Sequence, residues 1–310
     1  MTIHYFPPNP EKIGDNLLTA ELALDVACAG WRGVHETVVY YATPVVVRVL
    51  SAFDLPGIRM AEVADVGRSA TLAHSLRAMG EPVVDLQQLN CWVDYPELRL
   101  LFDAELPERA RRDWFDPSAL SRWPLEPFAE IFRSMLGIPS TGAALVPRTG
   151  NGRTGPAGGS GCEVLLFPHC ATTSQQLNGW ERIARAIVRC VQTDEGVRKR
   201  QEVTVVGTQD AARLCDWPAS VRVVTDSDGV DLPAFIAQAT VCVGGATGLT
   251  HLAGALRRPA LGLWRIDDRA VFAPRPGWTV RTHLAPAIDD AVTELCTAFV
   301  TEALASQEAR

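Results

Sequence analysis

The stretch that most constrains the fold runs from Thr240 to Leu256 and predicts a strand, a tight turn and a helix. Its mostly β-branched start favours a short buried strand. Gly244 and Gly245 are expected to form the turn, where a Cβ would clash. Thr247 or Thr250 is expected to cap the helix, behind which apolar residues recur at the spacing of a buried helical stripe.

Such a turn is a candidate anion site. The first N–H groups of a helix have no partner within it, and the helix dipole is positive at that end. The turn could therefore hold a phosphate. The alternative is an ordinary strand–helix connection of a parallel sheet, in which the glycines only save space. The rest of the chain has to decide between them.

Both halves of the chain alternate strands with helices, which is typical of parallel sheets covered by helices. We therefore predict an α/β protein with two Rossmann-like domains and a ligand cleft between them. The predicted domains cover 1–146 and 162–310, joined by a Gly/Pro-rich linker at 147–161. The last helix, predicted over 288–303, packs on the outside of its own domain or back on the first. The predicted strands cover 3–6, 37–41, 58–63, 82–86, 163–168, 202–206, 221–225, 240–243 and 260–264.

Composition excludes several partners. The chain has 310 residues and a formal net charge of −7, which argues against a nucleic-acid duplex or an anionic membrane as the main partner. Met1–Pro10 has no features of a secretory signal, and the apolar run Val38–Leu50 is interrupted and too short to span a bilayer. A cytoplasmic protein without a membrane span is the expectation.

The eight cysteines form no C-x-x-C pair, which favours a reduced protein in which they pack as small hydrophobes. Cys162, His169 and Cys170 form the one cluster that resembles a metal site. Along an extended strand the two cysteines would be well over about 20 Å apart, too far to share one ion. No metal ion and no cofactor is expected.

Three turns follow predicted strands in the second half: Pro168–Thr173, Val206–Gln209 and the turn at Gly244. In a parallel sheet all three lie at one edge and face one pocket, where hydroxyl and N–H groups suit the pyrophosphate of a nucleotide-sugar. The sequence contains no Walker A motif, no G-x-G-x-x-G after the first strand of either half and no G-x-S-x-G. P-loop NTPases, nicotinamide dehydrogenases and α/β-hydrolases are therefore disfavoured.

At these residues the sequence resembles the heptosyltransferase group of glycosyltransferases, family 9, which have the two-domain GT-B fold. Four segments carry the resemblance in the right order: Ile13–Thr19, Phe167–Thr173 with Trp180 shortly after, the strand ending at Val206 and Gly207, and Gly244–Leu256.

The resemblance implies roles for particular residues. Asp15 corresponds to the base that deprotonates the acceptor hydroxyl, and its alternative role is a helix N-cap, shared with Asn16. The remaining candidates bind the donor, and they are His169, Thr172, Thr173, Gly207, Thr208, Thr247, Gly248, Leu249, Thr250 and His251. The alternative for His169 is a strand-end residue that bonds to the backbone. The alternative for His251 is a residue packed within the helix.

The chain departs from the family at two places. Ala246 stands where the family usually has an aspartate that contacts the donor sugar, and Ser174–Gly179 lacks the family's usual lysine. A lost charged hydrogen-bond partner typically costs about 1.5–3 kcal/mol. Either the donor sugar differs from heptose, with His169, Gln175 or Asn178 substituting, or catalysis has been lost.

The sequence thus predicts a metal-independent, inverting glycosyltransferase. Its donor would be a nucleotide-diphosphate sugar, with an ADP-sugar as one candidate. Its acceptor would be a small molecule or a lipopolysaccharide-like component of the cell envelope. The alternatives are a catalytically inactive GT-B protein that binds a nucleotide-sugar and, less favoured, a nucleotide-sugar epimerase of the same architecture.

Overall fold

The computed structural model describes residues 2–29, 37–87, 129–130, 133, 137–148, 163–170, 175–192, 202–225, 228–265, 274–275 and 277–308. The chain divides into two compact units, and the main boundary falls between Pro147 and Arg148. Most of the linker predicted at 147–161 lies outside the described residues. The assignment of the acceptor to the first unit and the donor to the second stays a prediction.

The first unit is built on a parallel sheet with the strand order β4-β2-β1-β5. Its strands are β1 (Thr2–Phe6), β2 (Thr37–Ala42), β4 (Ile58–Glu62) and β5 (Val83–Asp85). A short antiparallel pair joins β3 (Phe53–Asp54) to β6 (Val146–Pro147). Its helices include α1 (Ile13–Ala29), α2 (Pro44–Leu50) and α3 (Val66–Ala78). The two central strands carry the buried side chains of this core, with Ile3, Tyr5, Val38 and Tyr40 at 1% exposure or less.

Helix α1 begins earlier than the sequence suggested. It starts at Ile13, so Asp15 is its third residue and neither Asp15 nor Asn16 is the N-cap. Asn16 has a different task, because its Nδ2 donates to the backbone oxygens of Asn9 and Lys12 and its Oδ1 accepts from Tyr40 Oη. These bonds tie the proline-rich loop after β1 to the helix and so overrule the capping preference.

Two carboxylates on the buried side of α1 hold the segment that closes the first unit. Asp25 is 1% exposed, pairs with Arg133 Nη1 at 2.6 Å and accepts from the backbone N–H and hydroxyl of Thr141. Glu21 accepts from the backbone N–H of Leu145. Burial of a carboxylate is tolerated only where its oxygens are paired in this way.

The second unit is built on a parallel sheet with the strand order β12-β11-β10-β7-β8-β9. Counted along the unit, this is the Rossmann order 3-2-1-4-5-6. Its strands are β7 (Glu163–Phe167), β8 (Glu202–Gly207), β9 (Val221–Thr225), β10 (Val241–Gly245), β11 (Ala260–Trp264) and β12 (Val280–Leu284). Strands β10 and β11 are buried along their whole length, as expected for parallel strands covered on both faces.

The helices with described bounds in this unit are α4 (Trp180–Gln192), α5 (Gln209–Arg213), α6 (Leu232–Ala237), α7 (Gly248–Ala255) and α8 (Asp290–Glu308). From the sequence, the last helix was expected to pack either on its own unit or on the first unit. Its apolar side, including Val292, Cys296 and Val300, instead lies in the core of the second unit together with Ile183 and Ile187 of α4.

Two elements had no predicted bounds, although helical segments were expected between the strands of the first half. Pro44–Leu50 forms α2, and Val280–Leu284 forms an edge strand whose side chains are mostly exposed. Within the residues described, no helix is long and apolar enough to cross a membrane.

Replacement of Asp25 tests the closure of the first unit. Asp25→Ala should lower the free energy of unfolding by about 3 kcal/mol, because it leaves the half-buried Arg133 without its partner in the core and two Thr141 donors unpaired. The measurement is urea unfolding followed by circular dichroism. Asp290→Ala is the control, since this carboxylate is 90% exposed and its pair with Arg182 is worth about 1 kcal/mol or less. Equal losses in the two variants would contradict the assignment.

Candidate functional site

The strand order of the second unit reverses between β7 and β10. The chain leaves these neighbouring strands toward opposite sides, and in open α/β sheets the resulting crevice at the carboxyl edge is where ligands bind. The described connections at this edge include Pro168–Cys170 after β7, Thr208 after β8 and Ala246–Thr247 after β10. The structure therefore brings these predicted turns to one edge. Thr172 and Thr173, which were predicted to bind the donor, lie outside the described residues.

The turn after β10 presents the start of α7 to this crevice. Thr247 occupies the N-cap position in an extended conformation, and its hydroxyl makes no capping hydrogen bond. Its N–H donates to Gly245 O, and its carbonyl accepts from the N–H groups of Thr250 and His251. Gly248 and Leu249 follow as the first helical residues, whose N–H groups have no acceptor within a helix. These two amides and the Thr247 hydroxyl form the candidate phosphate contact.

The sequence suggested that Gly244 and Gly245 form the turn. In the structure both belong to β10, and neither has a positive φ. Gly244 is required by packing: a Cβ there would overlap Thr250 Oγ1 and lie 2.9 Å from Phe167 Cβ. The Thr250 hydroxyl reaches this place because it donates to Gly245 O at 2.8 Å. Thr250 thus supports the turn from inside and does not present its hydroxyl to a ligand.

His251 is also an internal residue. It is 5% exposed, and its ring makes edge contacts with Trp264 and Trp278 at centroid distances of 6.2 and 6.0 Å. Burial lowers the pKa of His251 to about 4, so the imidazole is neutral at physiological pH. Its Nδ1 makes no hydrogen bond within the described structure. This placement matches the packed helix residue that was the alternative to donor binding.

Side chains after β7 connect the neighbouring strand ends. His169 Nδ1 lies 3.2 Å from Thr208 Oγ1, so the predicted pair of donor residues after β7 and β8 is in contact. The next residue, Cys170, is 6% exposed and donates its thiol proton to the backbone oxygen of Ala246 at 2.8 Å. Hydrogen bonds therefore connect the residues that follow β7 to those that follow β8 and to those that follow β10.

Two glutamines that follow complete this frame. Gln176 accepts from the N–H of Cys170 and donates to the carbonyls of Pro168 and Leu177. Gln175 is 4% exposed and accepts from the N–H of Arg265 after β11 at 3.0 Å. Sequence reasoning considered Gln175 only as a substitute for a missing lysine and did not identify Gln176. Two adjacent glutamines in Ser174–Gly179, a segment without charged residues, were the sequence signal that could have identified this role.

The far side of the edge has its own polar contacts. Gly207 ends β8 where a Cβ would lie 2.7 Å from Ala211 Cβ, so α5 packs closely on this turn. Asp228 accepts from the N–H and hydroxyl of Thr225, and Gln209 Nε2 donates to the same hydroxyl. Among the described residues no group of three or more His, Cys, Asp or Glu side chains could hold a metal ion.

Asp15 lies in the first unit, in the opening turn of α1. It is half-buried, and its backbone oxygen accepts from the Thr19 hydroxyl. The Tyr40 pKa is raised above its usual value, mainly by burial, and the negative charge of Asp15 adds to this effect. The carboxylate therefore acts electrostatically on the buried Tyr40 hydroxyl and remains partly accessible.

The sequence profile of glycosyltransferase family 9 (heptosyltransferase) matches residues 210–284, which include the turn at Thr247 and all of α7. No curated protein matches the chain. The predicted resemblance to the heptosyltransferase group is confirmed over this part of the chain.

Solved structures match nearly the whole chain at low sequence identity. E. coli ADP-heptose LPS heptosyltransferase II has a TM-score of 0.65 at 17% identity, over 99% of this chain and 100% of that one. A family 9 glycosyl transferase from Veillonella parvula has a TM-score of 0.60 at 11% identity, over 98% of this chain and 97% of that one. E. coli heptosyltransferase WaaC with ADP has a TM-score of 0.55 at 14% identity, over 98% of this chain and 100% of that one. The fold is thus that of the GT-B heptosyltransferases, as predicted, and with the family profile it supports a glycosyltransferase.

Gly244 and Gly245 provide a matched test of the packing beneath the turn. Gly244→Ala should lower the free energy of unfolding by about 1–3 kcal/mol, because its Cβ overlaps Thr250 Oγ1. Gly245→Ala should cost less than about 1 kcal/mol, since its Cβ would lie 3.8 Å from Trp180 Cζ2, an ordinary contact. Chemical unfolding of both variants gives the comparison, and the reverse order would refute the packing argument.

His251 should make the protein sensitive to acid. Its pKa is about 4 when folded and about 6.5 when unfolded, so the unfolded chain takes up a proton first as the pH falls. Stability present above pH 6.5 is then lost between pH 6.5 and 4, by about 3 kcal/mol in total. His251→Leu should flatten unfolding free energy against pH over this window. Replacement of His283, which is exposed on β12, serves as the control.

Proposed function

We propose that this chain, a glycosyltransferase of GT-B fold, transfers a sugar from a nucleotide-diphosphate donor to a hydroxyl group of a small-molecule or cell-envelope acceptor. The observation that carries the proposal is the start of α7 at the reversal of strand order. There two helical N–H groups and the Thr247 hydroxyl lie together at the carboxyl edge. This is the combination that suits a diphosphate.

The donor side of the proposal involves few side chains. Gly248 and Leu249 would donate their N–H groups to the diphosphate, and Thr247 its hydroxyl. His169 and Thr208, in contact with each other, would lie beside the nucleoside portion. Thr172 and Thr173 stay predicted donor contacts. An ADP-sugar is the first donor to test, because a solved heptosyltransferase of this fold was determined with ADP.

The reaction follows from these groups. The acceptor oxygen would attack the anomeric carbon while the bond from this carbon to the diphosphate oxygen breaks, and the electron pair leaves with the diphosphate. Asp15 would take the proton of the acceptor hydroxyl, and configuration at the anomeric carbon would invert. The helix dipole and the N–H groups stabilise the negative charge that grows on the leaving diphosphate. We propose that this stabilisation requires no metal ion and that the enzyme is cytoplasmic.

A second candidate function rests on Ala246. This residue replaces a carboxylate usual in the family, and its backbone oxygen is engaged by the Cys170 thiol. A protein that binds a nucleotide-sugar without transferring it would fit this loss. Binding and turnover therefore have to be measured separately.

Turnover of ADP-, GDP-, UDP- and dTDP-sugars with candidate acceptors tests the proposal. Asp15→Asn keeps the shape of the side chain but removes the base, so kcat should fall by about 10²–10⁴-fold with little change in donor binding. Glu294→Gln, on the exposed side of α8, is the control. Donor binding without transfer by the unmodified chain would support the second candidate. Unchanged kcat in Asp15→Asn would rule out Asp15 as the base.

A further inference from the structure

We propose that Asn16 is a positioning residue for Asp15, the base of the proposed transfer. This inference rests on the proposed function and concerns the residue that directly follows the base in α1. The Asn16 side chain is fully buried, whereas Asp15 is partly exposed. A base works only within hydrogen-bonding reach of the proton that it removes, so the backbone that carries it has to be held in one place.

Both ends of the Asn16 amide are bonded. Its Nδ2 donates to Asn9 O at 2.6 Å and to Lys12 O at 2.7 Å, and its Oδ1 accepts from Tyr40 Oη at 2.9 Å. The orientation of the amide is therefore defined, since a flipped amide would set its oxygen against two carbonyl oxygens. This one side chain joins the first turn of α1 to the loop after β1 and to β2.

The loop after β1 provides a fixed support for this turn. The backbone N–H and the hydroxyl of Thr43 both donate to Pro10 O. Glu11 accepts from the N–H of Val66 at the start of α3. The loop is thus attached to the end of β2 and to α3 through contacts that do not involve Asn16. The Asn16 side chain attaches α1, and Asp15 with it, to this loop.

A second set of bonds acts on the backbone of Asp15 itself. The Thr19 hydroxyl donates to Asp15 O at 2.7 Å, and Tyr5 Oη donates to Thr19 O at 3.1 Å. Tyr5 and Tyr40 are paired on neighbouring strands and stack with ring centroids 5.1 Å apart. Two tyrosine hydroxyls of the sheet therefore hold the turn of α1 that begins at Asp15.

The chemistry of these bonds favours a role in positioning over a role in stability. A buried hydrogen bond adds little to stability relative to an apolar pair of the same shape, but it restricts distance and direction. Asn9 O and Lys12 O also accept from the backbone N–H groups of Lys12 and Asn16, so an apolar side chain at 16 would leave neither carbonyl without a donor. A catalytic group misplaced by about 1 Å can lower the rate about 100-fold.

Steady-state kinetics of Asn16→Leu, alone and combined with Asp15→Asn, tests this inference. Asn16→Leu should lower kcat about tenfold or more, because the base is no longer held in place, and should leave donor affinity in isothermal titration unchanged. In the Asp15→Asn background the same change should have no further effect on kcat, since no base remains to be positioned. A role in folding alone would produce the same effect in both backgrounds.

Tyr40→Phe and Ser69→Ala provide a matched comparison, because each removes one hydroxyl that is bonded to a buried side-chain amide of the first unit. Ser69 Oγ, on α3, accepts from Gln87 Nε2 at 2.7 Å. Tyr40→Phe should lower kcat about threefold or more, whereas Ser69→Ala should not change it. Thermal unfolding should shift to a similar extent in the two variants.

The possible results distinguish this inference from the proposed function. Unchanged kcat in Asn16→Leu, or an equal loss in both backgrounds, would overturn the role of Asn16 and leave the proposed transfer intact. If Asn16→Leu does not fold, equal effects of Tyr40→Phe and Ser69→Ala on kcat would overturn it. Unchanged kcat in Asp15→Asn would remove Asp15 as the base and this inference with it. An unmodified chain that transfers no sugar from any of the four donor classes would overturn both proposals.

Discussion

The reversal of strand order between β7 and β10 is the constraint on which the candidate site depends. Because the chain leaves these adjacent strands toward opposite sides, the connections after them diverge, as far as they are described, and a gap lies between them. The helix that follows β10 then starts at the rim of the gap with unpaired N–H groups directed outward. A diphosphate can meet polar backbone here without a dedicated loop.

A gap of this kind needs support on both sides, and the structure provides it through side chains that bond to backbone. The Cys170 thiol binds Ala246 O across the reversal, and Gln175 binds the Arg265 N–H one strand further on. His169 contacts Thr208 on the other side. Each bond is modest alone, about 0.5–1.5 kcal/mol for a typical hydrogen bond, but together they fix the ends of four strands relative to one another.

Much of this fold could be predicted from the sequence, because its strands are short runs rich in β-branched and apolar residues between turn-forming residues. Val221–Thr225 and Ala260–Trp264 were predicted with the bounds that the structure shows. The edge strand β12 was not predicted, since its exposed side chains leave no apolar pattern. At the site, motif spacing located the turn, but the inward direction of Thr250 and His251 depends on packing against Gly244 and two tryptophans. Local sequence does not encode that packing.

The contact between Cys170 and Ala246 has a consequence for how residue 246 can change in evolution. The contact from Cys170 reaches the main-chain oxygen of Ala246, and residue 246 is partly accessible, so this contact does not depend on its side chain. Position 244, two residues earlier on β10, has no room for a Cβ without a shift of Thr250 or Phe167. Under the proposed function, selection can therefore exchange the residue at 246 while the scaffold beneath it is inherited unchanged.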